Sequence, residues 1–94
     1  MVMATFIGKV KDRFIIRGKG VAVVTDRMTE ELVGMAKVGD AAEIRTGGIA
    51  TVRTVVKDVE ALPGKRGHPF GFLTESSVTR DQVAVGAEVW VMNG

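Results

Sequence analysis

The feature that most restricts this chain is the spacing of its glycines. Twelve of them are spread through 94 residues, and they separate short runs rich in Val, Ile and Thr. Glycine supplies the positive-φ geometry of tight turns. β-branched side chains lose rotamer freedom in a helix and suit a pleated surface instead. The two together read as a repeated strand-and-turn rhythm. A chain of this length makes one domain, residues 1–94, around one small core.

Strands are expected over 4–10 and 13–17. Val10, Asp12, Phe14 and Ile16 fall on one side of an extended chain, and Lys9, Lys11, Arg13 and Arg17 on the other. The apolar set is expected to face the core and the cations to face water, with Asp12 marking a turn or bulge. Gly18 and Gly20 provide turn or bulge geometry before a strand over 21–28. Thr29 is placed to cap a single helical turn. A short strand over 42–46 leads into Gly47-Gly48, a hairpin connection. Residues 49–60 show helical spacing of Ile49, Val52, Val56 and Val59, but their β-branched content favours a long strand with a bulge near 55–56. A loop over 62–69, a strand over 70–74, a capping box at Thr79–Gln82 and a last strand over 86–92 complete the chain. Short, Val-rich strands of this kind are expected to close into a small barrel, which removes their exposed edges.

The sequence excludes several kinds of chemistry. There is no Cys and one His, His68, so disulfides, thiol catalysis, thiolate metal sites and multi-histidine metal sites are all ruled out. No Gly-x-x-x-x-Gly-Lys-Ser/Thr loop is present; Gly64-Lys65-Arg66-Gly67 has the wrong spacing. No nucleotide, cofactor or metal is therefore expected, and no nucleophile–base pair suggests an enzyme. No apolar run is long enough to span a membrane. The opening MVMATFIGKVK does not read as a secretory leader, so a cytoplasmic location is expected.

Thirteen basic residues oppose eleven acidic ones, a formal charge of only +2. Their distribution is more informative. Lys9, Lys11, Arg13, Arg17 and Lys19 lie close together against Asp12 alone, and Lys65 and Arg66 form a second basic spot. They could track phosphates, or they could be a solvated strand face whose lysines discourage edge pairing. Trp90, which alternation puts with Glu88 and Met92, either caps the barrel end or anchors an interface. The segment Met28–Met35, with Leu32, is a second candidate interface.

One resemblance accounts for the order of these motifs. Phe14-x-Ile16-x-Gly18-Lys19-Gly20, then Val24-Thr25-x-Arg27, Lys37-Val38-Gly39-Asp40 and Glu43-Ile44, resembles the second domain of translational GTPases such as elongation factor Tu. Gly71-Phe72-Leu73 and Val78 to Gly86 are similar to that domain's closing segment. The similarity spans roughly residues 4–92. It implies an all-β fold, a small closed Greek-key β-barrel of the translation-protein type, here without a GTPase domain. Asp26 stands where the family usually has Gly, and Glu75 where it usually has Arg, a carboxylate that would repel phosphate. The resemblance and the cations together lead to a non-catalytic binding module for RNA or the ribosome, through Lys9, Lys11, Arg13, Arg17, Lys19, Lys65 and Arg66. The alternative is a protein partner or self-association, through Trp90, Met28 and Leu32.

Overall fold

A computed structural model describes residues 3–28, 32, 34–59 and 69–93. They form seven strands: β1 (Met3–Ile16), β2 (Gly20–Met28), β3 (Ala41–Thr46), β4 (Ile49–Val55), β5 (Asp58–Val59), β6 (Pro69–Leu73) and β7 (Glu88–Asn93). A 3-10 turn at Arg80–Gln82 lies between β6 and β7. The fold is all-β. Its strands pair antiparallel in the order β4-β3-β7-β1-β2-β6-β5. The expected capping box shows in the Thr79 N–H, which donates to Gln82 Oε1 at 2.9 Å. The helical turn expected at Thr29 lies outside the described residues.

Strand β1 organises the rest. Met3–Lys9 pair with β7 and Val10–Ile16 pair with β2, so one strand serves two halves of the sheet. Two strands were expected here; a single strand with two bulges is observed. The register shifts first between Phe6 and Gly8 and again between Val10 and Asp12. At the first shift Gly8 has φ 124°, and a Cβ there would sit 2.8 Å from both Arg27 Cγ and Asp26 Oδ1. The Asp26 carboxylate also accepts the Lys9 N–H at 2.9 Å. Asp26 thus ties down the bulged backbone, and Gly8 leaves room for it.

The second bulge overturns the expected facing of 11–17. Lys11 is the extra residue, and it moves every later side chain by one step. Val10 is buried as expected. Beyond the bulge, Arg13 pairs with core residue Val23 and shares its face. Phe14 and Ile16 pair with Ala22 and Gly20 on the outer face.

The inner faces of both halves meet in one core that includes Ile7, Ile44, Val89 and Val91 from the first half and Val21, Val23 and Phe72 from the second. Strands β2 and β3 alternate buried and less buried residues along their length, as a sheet with one wet face requires. Leu32 is 2% exposed and belongs to this core. It presents no side chain for an interface. Buried hydroxyls pin the segment after β6. Thr74 Oγ1 accepts the Val21 N–H at 3.0 Å, and Thr25 Oγ1 donates to Phe70 O at 3.0 Å.

The closed ladder expected from the sequence is not observed. Edge strands β4 and β5 share no pairing, and the sheet is open in its hydrogen bonding. The long strand expected over 49–60 is broken at Val56-Lys57. Val56 is fully buried; its N–H donates to Asp40 O and its O accepts the Gly39 N–H, both at 2.8 Å. Lys57 N–H donates to Leu73 O at 2.8 Å. The chain therefore steps from the β3 ladder to the β6 ladder with these backbone groups satisfied. The Gly47-Gly48 hairpin is as expected: Thr46 pairs with Ile49, and both glycines have positive φ, 60° and 83°.

Candidate interaction site

The outer face of the first half is a row of paired side chains. Phe6, Trp90, Glu43 and Arg53 lie in register across β1, β7, β3 and β4. Phe6 and Trp90 have ring centroids 5.4 Å apart at 58°, within the favourable range for tilted aromatic pairs. Arg27 lies 5.7 Å from the Phe6 centroid, and Arg45 lies 4.7 Å from that of Trp90. Both are cation–π distances. Trp90 Nε1 donates to Glu88 Oε1 at 3.0 Å. Glu43 accepts from Arg45 Nε at 2.9 Å and faces Arg53 Nε at 3.4 Å. Trp90 stands with Glu88 on the outer face, as alternation indicated, half-buried under its neighbours. Met28, at the end of β2, is also half-buried.

The outer face of the second half is different. Phe14, Ala22 and Leu73 lie in register across β1, β2 and β6, with Val24 and Gly71 in the next row. At the hairpin tip Phe14 is 52% exposed, Ile15 67% and Ile16 38%. Three consecutive exposed apolar residues are unusual on a soluble protein unless the surface has a use. A cleft of about 240 Å³ runs along this face, lined by Ile16, Ala22, Val24, Val59 and Leu73, with Lys19 and Asp58 at its rim. A second cleft of about 320 Å³ lies between the hairpin tip and the chain at 76–80. Its apolar wall includes Ile15, Ile16, Val21 and Val78, and its charged members are Lys19 and Arg80.

The hairpin geometry follows from its glycines. Gly18 has φ 78° in open space and serves the turn. Gly20 has φ 143°, and a Cβ there would lie 2.7 Å from Thr74 O and 2.8 Å from Glu75 O. That contact packs the start of β2 against the 74–75 backbone. Glu75 is anchored in the same place, its N–H donating to Thr54 Oγ1 at 2.9 Å.

The five clustered cations do not share one face. Lys9 pairs with Glu88 beside Arg45, at the first half's outer face. Lys11 is the exposed extra residue of the bulge. Arg13 is on the core side, with its Nε buried and without a hydrogen-bond partner among the described residues. Arg17 is exposed at the turn, and Lys19 borders the two clefts. Lys65 and Arg66 lie outside the described residues. Sequence reasoning missed Phe14 and Ile16 as surface residues. The signal was present in Asp12, whose place in an apolar series marked the bulge that turns them outward. Among the described residues no three His, Asp or Glu side chains gather as metal ligands, and no helix is long and apolar enough to cross a membrane. Compared with known proteins, the chain matches no family model, no curated protein and no solved structure.

Proposed function

We propose that this protein is a non-catalytic binding module that docks on a protein partner through its β1–β2 hairpin. The observation that carries this reading is the run Phe14-Ile15-Ile16, exposed at the tip with an apolar cleft on either side. Burying such side chains contributes about 25 cal/mol per Å² of apolar surface, and among the described residues the tip is where three exposed apolar side chains are consecutive. The scaffold reading is a Greek-key fold of the translation-factor domain-two type, with its hydrogen-bond ladder open between β4 and β5. Its support is the hairpin Gly18-Lys19-Gly20, the strand β1 shared between two halves, and the two-residue step that joins edge strands β4 and β5.

The test is partner capture from cell extract by the wild type and by an I15S/I16S variant that is confirmed to be folded. A protein retained by the wild type and lost by the variant supports the reading. Equal retention by both overturns it.

RNA binding is the second reading, and one observation favours it. Trp90 and Phe6 are flanked by Arg45, Arg27, Arg53 and Lys9, the mixture of rings and cations that single-strand platforms use. Against it, the rings are already covered by arginines, and Glu43 and Glu88 neutralise part of the charge. RNA titration at several salt concentrations tests it. Each phosphate contact contributes a slope of about −0.7 in log affinity against log salt. A slope that flattens in a folded K9Q/R45Q variant would assign RNA to this face.

A further inference from the structure

We infer that the partner of the hairpin is an acidic, apolar-bearing peptide segment, seated in the cleft between the hairpin tip and residues 76–80. This rests on the docking reading above and deepens it by naming the partner's chemistry. Lys19 and Arg80 line the cleft, and among the described residues no carboxylate does. Asp58 and Glu75 lie on the far side of Lys19, in the neighbouring clefts. Beside this cleft, exposed Arg17 at the adjoining turn adds to Lys19 and Arg80. This cleft thus sets two cations beside an apolar wall of Ile15, Ile16, Val21 and Val78. The complementary segment places an aliphatic side chain against Ile15 and Val78, and a carboxylate between Lys19 and Arg80. Opposite charge at the rim fixes register and rejects basic partners.

The same features argue against the other occupants. A second copy of this hairpin would bring like charges together, which is destabilising. Nucleic acid would meet aliphatic walls with no aromatic face for its bases to stack on.

The experiment uses the full chain and a short fluorescent peptide in which Glu alternates with Val, followed by anisotropy. A second peptide carries Gln for every Glu, and a third carries Lys. The Glu peptide is expected to bind, and the Gln peptide to bind roughly tenfold more weakly, the effect of losing one or two charge-assisted contacts. Salt should weaken only the Glu peptide. In a K19E/R80E variant the preference should pass to the Lys peptide. Equal binding of the Glu and Gln peptides would overturn the acidic assignment; if I15S/I16S then lost both, the docking face would stand on its own. Binding of an oligouridine or of phosphatidylserine vesicles, with none of the Glu peptide, would overturn the assignment in favour of that ligand. No binding by any probe would overturn it too, leaving the docking reading to the capture experiment.

Discussion

The two outer faces of this sheet are built from neighbouring strands, and they dispose of their exposed side chains in opposite ways. On the first half the central row is paired throughout: Phe6 against Trp90, Arg45 over the indole, Glu43 between two arginines, and Glu88 on the indole N–H; its exposed apolar residues, Met3 and Ile49, stand apart at strand ends. On the second half, Phe14 and Ile16 stand on the outer face with nothing over them among the described residues, beside Ala22 and Leu73. The first face spends its side chains on internal contacts. The second leaves apolar area in water, a free-energy cost that is recovered only when something covers it. A surface that contributes to folding and a surface that contributes to binding can thus be told apart by what their side chains touch.

Four substitutions test this contrast. Gly20→Ala acts where the start of β2 packs against the 74–75 backbone. Its methyl meets two backbone oxygens at under 3 Å and takes a φ that L-residues avoid, so urea denaturation should show a loss of about 3 kcal/mol. Trp90→Ala removes the centre of the satisfied face. A loss of about 2 kcal/mol is expected, smaller than for a fully buried Trp because the side chain is only partly buried. A change below about 0.5 kcal/mol would show that the row is ornament and that its face, too, is free for a partner. Glu43→Gln should cost about 0.5 kcal/mol, with the difference shrinking in high salt, as for a partly exposed ion pair. Phe14→Ser should leave stability within about 0.5 kcal/mol of wild type, since its ring packs against no core. Unfolding curves that coincide, together with reduced protein capture, would place Phe14 in binding. A loss comparable to that of Trp90→Ala would erase the distinction between the faces.

Much of the fold is legible in the residues. The hairpin at Gly47-Gly48 needs two positive-φ residues in a row, and both glycines adopt them. The strands expected over 21–28 and 42–46 are observed as β2 and β3, and each buries alternate residues because a strand has a period of two and one face must meet the core. Other features depend on contacts distant in sequence. Residues 49–60 read in sequence as one long strand with a bulge near 55–56. The break at Val56 exists because Asp40 O and Leu73 O wait on either side of it to take the Val56 and Lys57 N–H groups.

The candidate site shows the same division at a finer scale. Composition and glycine spacing determined the all-β class, since they act through local rotamer and turn preferences that need no partner. They also showed the cations near the hairpin and the bulge signal at Asp12. Only the tertiary structure decided where these side chains point. The extra residue at Lys11 is accommodated by pairing with β2, and that pairing sends Phe14 and Ile16 outward and Arg13 toward the core. Facing is a property of register, and register is set by which strands meet, so a stretch of sequence carries the alternation without carrying its phase.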